Sequence, residues 1–132
     1  MARNNPAGPQ LRKRFGQHFL VDQYVIDQII GLIAPRASDH ILEIGPGGGV
    51  LTAALVSSGA DLVAVEIDRD LSQKLVERYA QDTNFLLYCE DILSFDFARL
   101  TQRSAAWKVV GNLPYNISTP LIMRLLEHSS MA

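Results

Sequence analysis

Four groups of residues in this chain could do chemistry together. The first is Asn112-Leu113-Pro114-Tyr115, which follows an apolar run from Trp107 to Gly111. It combines a side-chain amide, a backbone turn and an aromatic ring within one tetrapeptide. The Asn112 side-chain oxygen and the Leu113 carbonyl can accept from the two protons of an exocyclic amine, and Tyr115 can stack on the ring that carries it, as flipped-out bases are held. As isolated residues, Asn and Pro would also make an ordinary turn. The second group is Gly45-Pro46-Gly47-Gly48-Gly49, a turn that lets backbone approach a ligand closely. Its spacing departs from Gly-x-Gly-x-x-Gly and, with Glu43 two residues before the first glycine, suits the amino-acid part of S-adenosylmethionine better than a pyrophosphate. The third is Glu66-Ile67, with Glu66 twenty-one residues after Gly45, the distance at which a carboxylate meets a ribose diol. The fourth is Asp91-Ile92, where a carboxylate can accept from an adenine amino group and Ile92 can pack on the ring.

Together these residues fit methyl transfer to a nucleobase amine. Such an amine is a poor nucleophile because its lone pair is delocalised into the ring. Two acceptors on its protons pull the nitrogen towards tetrahedral geometry and free that lone pair for in-line attack. Orientation then does most of the work, and no general base is required, so His18 and His40 are not needed as bases; His40 reads as the start of a strand and His128 as exposed. Glu90 reads as solvated or as a support behind Asp91, Asp68 as a helix cap, and Cys89 as a small core residue.

The elements that must position these residues follow from hydrophobic periodicity. Asp22 can cap a helix over about 23–34 that Pro35 stops, with Val25, Ile26, Ile29, Ile30 and Ile33 recurring at helical spacing. Strands are expected over His40 to Gly45, Leu62 to Glu66, Phe85 to Cys89 and Trp107 to Gly111. Helices are expected over 50–58, closed by Gly59, and from Arg69 to Ala80 with Leu71, Leu75 and Val76 inward. A short irregular or helical stretch covers about 94–104, and a last helix runs from Ser118 to about His128. Strand–helix alternation predicts a Rossmann-like α/β fold, a parallel sheet with helices on both faces.

Composition sets the class. The 132 residues are 48% hydrophobic, enough for one cored domain, and the formal net charge is -2. Residues 1–14 hold four basic side chains (Arg3, Arg12, Lys13, Arg14) and no acid, so a basic arm on an acidic body is expected, compatible with a polyanion partner or with a solvated terminus. The single cysteine gives neither a disulfide framework nor a cysteine metal site, and no metal is expected. No apolar run reaches membrane-span length, and no apolar stretch of a secretory signal follows the basic start. A cytoplasmic protein without a membrane partner is the expectation.

Five segments carry a resemblance: Phe15-Gly16-Gln17-His18-Phe19-Leu20, Leu42 through Thr52, Glu66-Ile67-Asp68, Glu90-Asp91-Ile92-Leu93, and Val110 through Ser118. In this order the chain resembles the ribosomal RNA adenine dimethyltransferases from Leu11 onward. The likeness is closer to the small-subunit branch than to the erythromycin-resistance methyltransferases of the large subunit. The resemblance implies S-adenosyl-L-methionine as cofactor. It also implies that residues 15–20 fold over it with His18 and Leu20 as contacts, and that Gly45 and Gly47 lie at the methionine part. Glu66 and Ile67 would then sit at the ribose, Asp91 and Ile92 at the adenine, and Asn112 where methyl donor and target amine meet. The family usually has Asn where this chain has His18. The implied product is N6,N6-dimethyladenosine at two adjacent adenines of small-subunit ribosomal RNA, the implied partner an immature small ribosomal subunit, and the family's usual state a monomer.

Members of the family continue beyond the point where this chain ends. Residues 15–132 therefore read as the N-terminal part of a methyltransferase domain, with later strands and a helical C-terminal domain absent, so that activity alone would be impaired. In the implied order, strand three lies at one edge, followed by two, one and four, which leaves the fourth strand open to self-association. Two other classes compete. A non-catalytic RNA-binding assembly factor would keep the fold but not turnover, and an NAD-binding module is disfavoured by the glycine spacing and by Asn112 to Tyr115.

Overall fold

A computed structural model describes residues 22–111 of the chain. The basic arm, the 15–20 segment with His18 and Leu20, the Asn112-Leu113-Pro114-Tyr115 element and the expected last helix lie outside the described residues.

The first helix, α1, spans Gln23–Ile33. Asp22 caps it by accepting from the Tyr24 amide at 2.9 Å. At the other end Ala34 turns left-handed, with its N–H bonded to the Ile30 carbonyl, and Pro35 cannot continue the helix. The strands β1 (His40–Ile44) and β2 (Asp61–Val65) are buried along nearly their whole length, as expected for central parallel strands covered on both faces. Between them lies α2, Val50–Ser57. Helix α3 covers Arg69–Arg78, capped by Asp68 accepting from the Leu71 amide. Strand β3 is Phe85–Tyr88. A 3-10 turn at Ile92–Ser94 and the short helix α4, Ala98–Thr101, lead to β4, Lys108–Gly111.

All pairings are parallel, as the strand–helix alternation predicts, and the strand order is β3-β2-β1-β4, as the resemblance implies. Period-two alternation divides the core. Leu42, Ile44, Val63 and Val65 face Ile92, Phe95, Phe97 and Leu100 on one side of the sheet. Ile41 and Leu62 face Ile26, Leu51, Leu55 and Val56 of α1 and α2 on the other. Two sequence expectations fail here. Val76 points to solvent because the inward stripe of α3 is carried by Ser72 and Leu75. Cys89 is exposed rather than in the core, because β3 ends one residue before it and the chain leaves the sheet there.

The amino ends of the strands are stapled by polar groups. Asp61 accepts from Arg103 at 2.6 Å and pairs with His40 at 2.8 Å. Lys108 bonds Asp39 at 2.9 Å and the Ile33 carbonyl at 3.0 Å. The Lys108 hydrogen bond, then that of the Arg36 amide, holds the Asp39 carboxyl below the ordinary range. Among the described residues β4 is a sheet edge and Val109 is 46% exposed. No helix among the described residues is long and apolar enough to cross a membrane.

Candidate cofactor site

Parallel register places the carboxyl ends of β1, β2 and β3 side by side. Ile44 pairs with Val65, and Val65 with Tyr88. Residues separated by about twenty positions in the sequence thereby share one rim, at the end of the sheet where open α/β folds bind ligands.

The Gly-rich turn leaves β1 with the Gly45 amide bonded to the Val65 carbonyl at 2.9 Å. Gly49 then caps α2 at φ 86°. A Cβ at Gly49 would lie 2.7 Å from Leu75 Cδ2 and 3.1 Å from an Arg78 guanidinium nitrogen, so α3 packs directly on the turn. Arg78 also donates to the Gly48 carbonyl at 3.2 Å. A Cβ at Gly48 would meet nothing within 4 Å, and this part of the turn is open.

Glu66 is buried and joins the turn to the next strand. Its Oε1 accepts from the Gly47 amide at 2.9 Å and its Oε2 from the Asp68 amide at 3.0 Å. The Ser72 hydroxyl donates to the Glu66 carbonyl at 3.2 Å. Each carboxylate oxygen has a second acceptor site, which is what a ribose diol would use. Ile67 beside it is 63% exposed, an apolar surface at the rim suited to a sugar or ring face.

Asp91 is exposed and its side chain accepts from the Leu93 amide at 2.9 Å, capping the 3-10 turn. Ile92 is 6% exposed and belongs to the core beneath the rim, next to Asp91. Glu90 is more structured than a solvated acid. It pairs with Arg99 at 2.5 Å, and that guanidinium lies over Tyr88 at 4.8 Å and Phe95 at 5.2 Å. The Glu90 hydrogen bond raises the Arg99 pKa.

The structure thus brings Gly45, Gly47, Glu66, Ile67 and Asp91 to one rim, and Gly47 and Glu66 into direct contact. It also shows contacts that the sequence does not single out. Glu43 is 2% exposed in mid-β1, and its Oε1 accepts from the Thr52 hydroxyl of α2 at 2.6 Å. Burial pushes its carboxyl up to about 7; the Thr52 bond opposes the shift and the neighbouring Glu66 adds to it. Its position two residues before the first glycine of the turn is legible in the sequence; its burial and its bond to Thr52 are not. Arg78 and Arg99 had no sequence signal, because each acts across the fold. Among the described residues no cluster of His, Cys, Asp and Glu could hold a metal ion.

A site built from a glycine turn, a strand-end carboxylate bonded to that turn, and a further acid one strand on fits an adenosine-bearing cofactor with an amino-acid arm. A family model described as ribosomal RNA adenine dimethylase matches residues 8–132. The ribosomal RNA small subunit methyltransferase A of Pseudomonas putida is 52% identical over 120 residues, covering 91% of this chain and 45% of the relative. That of Nitrosococcus oceani is 50% identical over 122 residues, covering 92% of this chain and 46% of the relative. The chain therefore spans less than half the length of these curated relatives. Among solved structures, a dimethyladenosine transferase from Plasmodium falciparum superposes with a TM-score of 0.68 at 28% identity, over 81% of this chain and 38% of the other. The 23S rRNA methyltransferase ErmE superposes at 0.63 and 26% identity, over 76% and 39%.

Proposed function

The chain belongs to the ribosomal RNA adenine dimethylase family, and from that premise we propose that it is the cofactor-binding part of an enzyme that dimethylates the N6 amines of two adjacent adenines in small-subunit ribosomal RNA. The methyl donor is S-adenosyl-L-methionine, whose sulfonium supplies an activated methyl group. The observation that carries the reading is the closure of the Gly-rich turn onto Glu66 through the Gly47 amide at 2.9 Å. It presents backbone and carboxylate acceptor sites on one rim.

In this reading Glu66 accepts from the ribose hydroxyls and Ile67 packs beside them. Asp91 accepts from the adenine amino group, next to Ile92. Gly45 and Gly47 let the methionine part approach the backbone, and His18 and Leu20 cover it. Asn112 and the Leu113 carbonyl hold the target amine, Pro114 shapes the turn, and Tyr115 stacks on the target base. The target nitrogen forms a bond to the methyl carbon as the carbon–sulfur bond breaks, and an amine proton leaves to water. A second methyl follows on the same nitrogen.

The partner is an immature small ribosomal subunit in the cytoplasm. The small-subunit target is favoured over the large-subunit one because the relatives at about half identity carry small-subunit names. Copies of the chain associate through the β4 edge, where Val109 is exposed.

The test is a thermal melt with increasing S-adenosylmethionine, followed by methyl transfer to isolated ribosomal subunits. A cooperative transition that rises with ligand supports the pocket, since a ligand of the native state stabilises by mass action. A transition indifferent to ligand overturns the cofactor reading. Transfer to large subunits alone overturns the target.

A further inference from the structure

Arg99 of α4 reaches back nine residues to Glu90, where its Nη1 donates to Oε2 at 2.5 Å. The same guanidinium lies over the rings of Tyr88 at 4.8 Å and Phe95 at 5.2 Å. Tyr88 is the last residue of β3, and its carbonyl accepts from the Glu66 amide at 3.0 Å. Its ring meets that of Phe95 at 5.4 Å, and Phe95 is fully buried. The cation therefore stands on a floor made by the sheet and its core. The Arg99 and Glu90 side chains are 39% and 35% exposed, and an ion pair that exposed contributes little by itself. The rings decide its geometry. They orient the guanidinium by cation–π contact, so the carboxylate it binds is held in one direction.

Asp91, the acid assigned to the adenine amino group, follows Glu90 directly. Among the described residues its hydrogen bonds are local. Oδ1 accepts from the Leu93 amide at 2.9 Å, and the Asp91 carbonyl from the Ser94 amide at 3.0 Å. These bonds shape the 3-10 turn without tying it to the sheet. The ties to the sheet come from the two flanking residues. Ile92 is packed in the core on one side, and Glu90 is held by Arg99 on the other. We propose that Arg99 is a positioning residue for adenine recognition: anchored on Tyr88 and Phe95, it holds Glu90 and thereby fixes Asp91 at the rim. It also decides which of two consecutive acids meets the cofactor, because Glu90 is committed to the guanidinium. The inference rests on the assignment of Asp91 to the adenine given above.

Calorimetric titration of this chain with two ligands tests it. One is S-adenosylhomocysteine, the product form of the cofactor. The other is its analogue with purine in place of adenine, which lacks only the amino group. The wild type should bind the adenine compound about tenfold more tightly, the low end for a hydrogen bond to a charged acceptor. Arg99→Met keeps an apolar side chain over the two rings and removes the charge. It should cut the preference to about twofold by weakening the adenine compound alone. Glu90→Gln should do the same from the other partner. The double variant should be no worse than either single one, because residues that act through one contact are not additive. Arg99→Lys should keep most of the preference. A merely structural role would weaken both ligands by the same factor. That result, or a tenfold preference retained in Arg99→Met and Glu90→Gln, overturns the proposal and leaves the cofactor site standing. A wild type that binds both compounds equally removes the adenine role of Asp91, and absence of binding removes the cofactor reading; either result takes this inference with it.

Discussion

The Gly47 amide donates to Glu66 Oε1 at 2.9 Å across nineteen residues of sequence, while Glu66 Oε2 accepts from the Asp68 amide at 3.0 Å. One buried carboxylate therefore fixes both the Gly-rich turn and the entry to α3. Replacing it with Ala removes an acceptor for the ligand and leaves two amides without their partner. Glu66→Ala should weaken S-adenosylmethionine binding by roughly five- to 150-fold, about 1–3 kcal/mol for a charged hydrogen-bond partner, and should lower the melting temperature of the free protein. Unchanged affinity in calorimetry would remove the ribose assignment.

Gly49 and Gly48 are adjacent but should respond differently to Ala. Gly49 sits at φ 86° with Leu75 Cδ2 2.7 Å from any added Cβ. Gly49→Ala should destabilise the fold by about 1–3 kcal/mol, through a strained backbone and a clash with α3. Gly48→Ala has open space and should stay within about 0.5 kcal/mol. Urea unfolding of the two variants side by side checks this, and equal midpoints would contradict the packing of α3 on the turn.

The buried carboxyl of Glu43 also sets a pH dependence of stability in the ligand-free protein. Its folded pKa of about 7 lies above the ordinary value of 4.5. For a raised pKa the contribution is fully present below the unfolded value and is lost as pH rises through the folded one. The wild type should therefore lose stability relative to Glu43→Gln between about pH 4.5 and pH 7, by on the order of 3 kcal/mol in all. Denaturant midpoints of both proteins across that range measure it. Parallel pH profiles would show that Glu43 is charged throughout.

Among the described residues β4 is the sheet edge, and Val109 on it is exposed. Val109→Lys should reduce concentration-dependent association, since a charge on an edge strand opposes edge-to-edge pairing. Size-exclusion chromatography of the wild type as a monomer at high concentration would rule the edge out as a contact.

Asn112→Ala should abolish methyl transfer and leave S-adenosylmethionine-dependent stabilisation in place, because it removes an acceptor for the target amine rather than the turn or Glu66. Single-turnover transfer to small subunits is the measurement. A variant that transfers at full rate would discard the amine-positioning role.

The sequence by itself determined the parallel order of elements, the helix caps at Asp22 and Asp68, the turn from Gly45 to Gly49 and the strand-end acids Glu66 and Asp91. These are local features, legible because periodicity, cap chemistry and glycine spacing act over a few residues. Only the tertiary structure decided which of these groups touch. The Gly47–Glu66 bond, the Arg78 bond to Gly48 and the Arg99–Glu90 pair over Tyr88 join positions separated by nine to thirty residues, and no local pattern encodes such contacts. The same reason accounts for the expectations that failed. Val76 and Cys89 are apolar by type, but helix rotation and the end of β3 set them in solvent. Glu43 is the converse case: an acid by type that register and the packing of α2 bury, so that its proton becomes a property of the fold.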